Sequence, residues 1–222
     1  MAIVSIQTSP NKLIPYLVRA RDASNIDECM AIYECWATTY NSDLSEDGHN
    51  YVAPVLVAQL AYKLTADAAG AAFLDAGCGT GLVGQALARL GADAIDGLDF
   101  SLAMLDEAEQ TGAYQNLIRA DLTQRLNIAD ATYDTVTCVG TFTHGHVGPA
   151  PALCEFLRIC KPGGLVVATV IEPLWDNAGF KTEVARIEAG RMAEVVQQEV
   201  VDYVKGRGDK AVLVVLRKNA VL

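Results

Sequence analysis

Residues 73–84 read FLDAGCGTGLVG, and two patterns overlap within them. Gly79-Thr80-Gly81-Leu82-Val83-Gly84 is a literal G-x-G-x-x-G, the spacing with which a strand-to-helix turn cradles a dinucleotide. Asp75-x-Gly77-x-Gly79-x-Gly81 adds a carboxylate where the strand should end. Glycines there let the backbone approach a ligand that side chains would block. A pyrophosphate would rest on the helix N-terminus, within several ångströms of Asp75. Like charges at that range repel by ~1 kcal/mol in water and by a few times more at a protein-like dielectric. The sequence therefore favours a phosphate-free nucleoside carrying a cationic amine or sulfonium over a diphosphate.

Two more acids follow. Asp99 closes AIDGLDF about 20 residues after the loop, where a carboxylate accepts hydrogen bonds from ribose hydroxyls. Asp121, in RADL, ends the next predicted strand and can accept from an adenine amino group. A helix cap or a solvated loop acid explains any one of the three. Their recurrence at three successive strand ends points to a nucleoside. Further along, GTFTHGH holds His144 and His146. Histidine titrates near neutrality, so His144 is the candidate general base or substrate contact, with packing or loop capping as the alternative. His-x-His lacks a third ligand in sequence, and no metal site is predicted. His49, in a polar loop, is assigned no chemical role.

These residues need strands to end where they stand. AAFLDA, AIDGLDF, YQNLIRADL, YDTVTCVG and LVVATVI read as strands. They alternate with the helical patterns LVGQALARLGA, LAMLDEAEQ and PALCEFLRIC, which implies a parallel sheet covered on both faces. Val83, Leu87 and Leu90 form one helical stripe that stops at Gly91, Ser101 is a plausible N-cap, and Leu153, Phe156, Leu157 and Cys160 recur at helical spacing before Lys-Pro-Gly-Gly. EVVDYVKG and AVLVVLRK, joined through a tight glycine-containing turn, close the sheet as an antiparallel hairpin. Ahead of the sheet, IDECMAIYECWATTY carries Ile26, Met30, Tyr33 and Ala37 on one helical face, then breaks at NSDLSEDGHN before the helix YVAPVLVAQLAYKL. Residues 1–25 are an extension of undisclosed role.

With 222 residues, 51% of them apolar, the chain can bury a full core, read as one domain: extension 1–25, helical lid 26–65, core 66–222. Seventeen basic against 27 acidic residues leave a net charge of −10 and no basic cluster, which disfavours nucleic acid as a partner. The six cysteines form no C-x-x-C pair and read as reduced core thiols. MAIVSI is short for a signal segment, and no apolar run reaches the ~20 residues of a membrane span. A cytoplasmic protein, off the membrane and of unknown oligomeric state, is expected.

DAGCGTG, the Asp99 strand end, RADL, YDTVTCVGTFTHGHVGP and LCEFLRICKPGGLVV resemble the ordered motifs of class I S-adenosylmethionine-dependent methyltransferases. GTFTHGHVGP and YECWATTYNSD are similar to the Williams-Beuren-region methyltransferase-like group, and the likeness runs from about residue 30 onward. The resemblance implies an α/β, Rossmann-like, seven-stranded, mostly parallel sheet of order 3-2-1-4-5-7-6, with helices on both faces, an antiparallel C-terminal hairpin and an N-terminal helical lid. It implies S-adenosyl-L-methionine as cofactor. Asp75, Gly77, Cys78, Gly79 and Gly81 would line the methionine portion, Asp99 would take the ribose, Phe100 and Leu122 would flank the adenine, and Asp121 would hold its amino group. Val139 and Gly140 would face the sulfonium; Tyr40 would reach the pocket from the lid, while Tyr33, Trp36 and Tyr51 read as core or contact. Asn41 stands where similar proteins often have Asp. EPLWDNAGFKTEVARIEAG would form the opposite wall, with Trp175 and Phe180 against an apolar substrate. The chain lacks the Pro-Pro-aromatic run of enzymes that methylate exocyclic base amines, so a small-molecule acceptor is expected. Two alternatives stay open: a nicotinamide-dinucleotide oxidoreductase, and an S-adenosylmethionine-binding protein of this fold that transfers no methyl group.

Overall fold

The computed structural model describes residues 15–23, 26–45, 50–143, 146–206 and 208–220. Seven strands form one sheet: β1 (Ala72–Ala76), β2 (Ala94–Asp99), β3 (Asn116–Arg119), β4 (Tyr133–Phe142), β5 (Cys160–Ile171), β6 (Ala193–Asp202) and β7 (Lys210–Lys218). Their order, β3-β2-β1-β4-β5-β7-β6, is the one the resemblance implies. The first five strands pair in parallel, and β7 runs antiparallel to both β5 and β6. Strand order reverses between β1 and β4, which opens a crevice at their carboxyl ends.

Alternation along the strands divides the core into two layers. On one face Phe73, Ile95, Val167 and Val215 meet α3 (Ala53–Leu64) and α4 (Leu82–Leu90). On the other, Leu74, Val136, Val166 and Val214 meet α6 (Ala152–Ile159) and α8 (Phe180–Ala189). Each large apolar side chain fully withdrawn from water contributes about 1.5–3 kcal/mol before entropy is counted. The predicted stripe Leu153, Phe156, Leu157 and Cys160 is buried in that second layer. α4 ends at Gly91, whose φ of +99° suits glycine, but Leu90 stands 37% exposed and is not part of the Val83–Leu87 stripe. The Ser101 hydroxyl caps α5 (Leu102–Glu109) by accepting from the Met104 amide at 3.3 Å.

Four elements differ from expectation. α2 (Ile26–Leu44) runs through the expected break at Asn41, because Asp43 accepts from the Trp36 indole at 2.9 Å and Leu44 packs into the cluster around Trp36. β3 is short; Leu122 lies beyond it and is buried. β6 begins at Ala193, and residues 203–209 join it to β7 in place of a tight turn, with Tyr203 and Val204 buried. The extension contributes α1 (Pro15–Asp22), whose Tyr16 ring stacks 5.9 Å from Trp36. Residues 1–14, His49, His144 and Arg207 lie outside the described residues. Among the described residues, no helix is long and apolar enough to cross a membrane.

Candidate active site

The glycine loop leaves β1 and is pinned to its neighbour strand: the Gly77 and Cys78 amides both donate to the Leu98 carbonyl, at 2.7 and 2.9 Å. Gly77 has φ +75°, and a Cβ there would stand 2.0 Å from the Thr141 hydroxyl. Gly79 has φ +53° and donates its amide to Asp99 Oδ2 at 2.9 Å, while a Cβ on it would meet nothing within 4 Å. The loop thus offers bare backbone to the crevice.

Its underside is different. Asp75 is 1% exposed and does not line the crevice. Its carboxylate accepts from the Tyr114 hydroxyl at 2.8 Å and the Thr137 hydroxyl at 3.2 Å, and the Gly84 amide donates to Tyr114 Oη at 3.2 Å. Burial pushes the Asp75 carboxyl up to about 7 against the pull of those two hydroxyl donors. The Tyr114 ring runs where side chains on three glycines would be: a Cβ would lie 2.2 Å from it at Gly84, and 3.0 Å at both Gly81 and Gly97. The sequence-based assignment of Asp75 and Gly81 to the ligand wall is corrected accordingly: both serve the packing under the loop. The last glycine of G-x-G-x-x-G makes room for a tyrosine. Nothing in the sequence marked Tyr114, which stood at the start of a predicted strand.

The crevice encloses about 930 Å³, part of it open to solvent. Gly77, Cys78 and Gly79 form one wall, Asp99, Phe100, Asp121 and Leu122 another, and Val139 and Gly140 the inner end, while Tyr40 reaches in from α2. Asp99 is held by the Gly79 and Ser101 amides, both at 2.9 Å, and its carboxyl is raised because burial outweighs those bonds. Arg119 lies 5.4 Å from the Phe100 ring and donates to the Phe100 carbonyl at 3.2 Å, which fixes that ring in the wall. Asp121 Oδ1 accepts from the Thr123 amide and hydroxyl at 2.8 and 2.7 Å. Among the described residues, no Lys or Arg side chain lines the crevice. Bare glycine backbone, two carboxylates, a flanking aromatic ring and no Lys or Arg suit a cationic, phosphate-free nucleoside and leave a diphosphate without a counter-charge. The carboxylates that face the crevice are those of Asp99 and Asp121, not that of Asp75.

Residues 74–168 match the family model of a methyltransferase domain. Methyltransferase-like protein 27 of Homo sapiens is 36% identical over 156 residues, which cover 68% of this chain and 62% of that protein. The demethylmenaquinone methyltransferase of Renibacterium salmoninarum is 39% identical over 117 residues, 50% of this chain and 48% of that protein. The magnesium protoporphyrin IX methyltransferase of Synechocystis PCC 6803, solved with bound S-adenosylmethionine, superposes with a TM-score of 0.65 at 18% identity, covering 89% of this chain and 100% of that one. Residues 74–168 thus carry a methyltransferase domain, set in the fold of solved S-adenosylmethionine-dependent methyltransferases. The chain spans less than two thirds of the length of either curated relative.

Around the methyltransferase core, α2 brings Met30, Tyr33 and Tyr40 to the crevice. The Thr80 hydroxyl donates to Asn41 Oδ1 at 2.5 Å, tying α2 to the glycine loop, and the Ser101 hydroxyl donates to Glu34 at 3.2 Å. Asn41 therefore acts as a helix-to-loop tether that needs no charge. His146 lies between Thr143 Oγ1, 2.5 Å from Nδ1, and Cys29 Sγ, 3.1 Å from Nε2, with its ring 5.5 Å from Tyr33. Burial and the neighbouring Glu28 push the Cys29 thiol up to about 11, so it stays protonated at neutral pH. Trp175 and Phe180 do not reach the site. The Phe180 ring lies 4.8 Å from Phe142, tilted at 56°, in the core layer on the α6 face of the sheet, and Trp175 is buried in the same layer. Tyr51 and Tyr203, from segments 152 residues apart, meet at Gly140 instead. Among the described residues, no cluster of His, Cys, Asp or Glu has the arrangement of a metal site.

Proposed function

We propose that the protein transfers the methyl group of S-adenosylmethionine to a small-molecule acceptor. The observation that carries this reading is the crevice itself: two carboxylates and bare glycine backbone at the strand ends, with no Lys or Arg lining it among the described residues. Bound there, the cofactor supplies a methyl group on a positively charged sulfur. Asp99 would accept from the ribose hydroxyls and Asp121 from the adenine amino group, between Phe100 and Leu122, with Gly77, Cys78 and Gly79 along the methionine portion and Val139 and Gly140 beside the sulfur. In-line methyl displacement asks the protein to align the acceptor and keep water out. Met30, Tyr33 and Tyr40 on α2, tethered to the loop through Asn41 and Thr80, do both. The name of the bacterial relative, a methyltransferase of demethylmenaquinone, supports a small acceptor rather than a polymer.

His144 is the proposed base where the acceptor begins protonated; a His144→Ala variant that loses kcat and the acid limb of its pH profile, with KM for the cofactor unchanged, supports that role. Calorimetry decides the main reading. S-adenosylmethionine and S-adenosylhomocysteine are expected to bind at micromolar concentration and NADH is not. Binding of NADH alone, or of none of the three at high micromolar concentration, overturns it.

A further inference from the structure

A second cavity, of about 510 Å³ with part of it open to solvent, adjoins the first and shares Tyr33, Tyr40, Tyr51, Gly140 and His146 with it. We propose that this chamber holds the methyl acceptor, and that the acceptor is an uncharged aromatic ring bearing a hydroxyl, a phenol or enol, directed at the paired hydroxyls of Tyr51 and Tyr203. The inference rests on the methyltransferase reading and names the acceptor class for it.

Three observations carry it. The chamber walls are mostly tyrosine rings and aliphatic side chains, among them Leu44, Ile171 and Val204, with Thr143 and His146 beside them, and no Asp, Glu, Lys or Arg lines it among the described residues. A carboxylate or phosphate entering it would lose hydration without gaining a counter-ion. His146 directs its two ring nitrogens at Thr143 and Cys29. The rings also present complementary edges and faces. Tyr51 and Tyr203 cross at 60° with centroids 4.8 Å apart, and Tyr33 and Tyr40 at 49° with centroids 6.3 Å apart, an arrangement that favours a flat aromatic guest.

The polar end is placed by Gly140. This residue has φ +80°, and a Cβ on it would lie 2.9 Å from Tyr51 Oη and 3.5 Å from Tyr203 Oη. The two hydroxyls, 3.0 Å apart, therefore sit against bare backbone where the two cavities join. An antiparallel bridge between Tyr51 and Val204 and the Val52 amide bond to the Tyr203 carbonyl at 3.3 Å hold the two segments together there. Burial holds the Tyr51 phenol well above its ordinary value, so it remains a hydrogen-bond donor and acceptor rather than a base at any physiological pH. A hydroxyl is the group that can both donate to and accept from such a pair. Leu17 and Ala20 of α1 also line the chamber, which gives the extension a part in its wall.

The test uses the full chain saturated with S-adenosylhomocysteine, with 2-naphthol and 2-naphthoate as probes followed by tyrosine fluorescence and calorimetry at pH 7. The neutral naphthol is expected to bind at least tenfold more tightly than the carboxylate. Ile171→Trp, which fills the chamber, is expected to abolish naphthol binding, and Tyr203→Phe to weaken it about fivefold; neither changes S-adenosylhomocysteine affinity. Using both variants guards against Ile171→Trp failing to fold. If S-adenosylhomocysteine does not bind the unaltered protein, the methyltransferase reading fails and the acceptor class with it. If it binds but naphthol shows no preference over naphthoate, or neither variant alters naphthol binding, only the acceptor class is overturned.

Discussion

Asp75 and Asp99 end neighbouring strands, yet they belong to opposite sides of one loop. Asp75 faces down, bonded to the hydroxyls of Tyr114 and Thr137; Asp99 faces the crevice, bonded to the amides of Gly79 and Ser101. Side-chain hydroxyls from β4 and from the approach to β3 make the underside a packing joint. Backbone amides on the upper side make a surface whose shape is set before any ligand arrives. The glycines divide the same way: Gly81, Gly84 and Gly97 clear a path for one tyrosine ring, whereas Gly79 opens to empty space. A glycine-rich loop with an acid beside it is thus half foundation and half binding surface, and residue type alone does not say which half a position serves.

Altering the two sides separately should break or sharpen that division. The largest effect is expected at Asp75. Its folded-state value of about 7 lies above the ordinary carboxylate value of 3.8, so the native state holds a proton there that the unfolded chain has released. The stability this contributes is fully present below pH ~4 and is lost as pH rises through about 7, a change of roughly 3–4 kcal/mol. Asp75→Asn should flatten the fall in stability between pH 5 and 8, measured by denaturant unfolding; equal slopes in the two proteins would show that the carboxylate is not held as described. Next, Gly84→Ala drives a methyl group into the Tyr114 ring and should cost about 3 kcal/mol, much of it recovered when Tyr114→Ala is added. Simple additivity in that double-mutant cycle would deny the joint.

On the upper side, Asp99→Ala should weaken S-adenosylhomocysteine binding by about 30-fold, roughly 2 kcal/mol, through the loss of charge-assisted bonds. Its melting temperature should fall far less than that of Gly84→Ala, and the reverse ranking would erase the distinction between the two sides. The smallest effect is expected for Ser101→Ala, which removes the α5 cap and should cost ~1 kcal/mol of stability, with cofactor affinity reduced less than twofold.

Much of the cofactor half was legible along the chain. Glycine spacing, the strand-end acids, the Ser101 cap and the Gly91 stop are local features, and each follows from the conformations open to a few adjacent residues. Gly77, Cys78, Gly79, Asp99, Phe100, Asp121, Leu122, Val139, Gly140 and Tyr40 were all named from sequence, and all line the crevice. The second chamber was far less legible. Tyr51 and Tyr203 are brought together by a bridge between distant segments, and Tyr203, read from sequence as part of the strand EVVDYVKG, lies just past the end of β6. Trp175 and Phe180 looked like substrate contacts because they are large and follow a strand, but the sheet face they cover needed filling beside Phe142 and Phe156.

By itself, then, the amino-acid sequence determined the order and type of most strands and helices, which glycines must bend the chain, and where most of the core stripes lie, because these depend on neighbours within a few residues. Tertiary structure alone decided that Asp75 points beneath the loop, that Tyr114 supports it, and that Tyr51 and Tyr203 meet at Gly140 in a chamber also lined by Tyr33 and Tyr40 of α2. In a parallel strand covered on both faces, alternation shows that a side chain is buried but not whether it meets a helix, a hydroxyl or a ligand. That depends on which distant residue arrives to fill the space, and packing settles it only once the whole sheet is assembled.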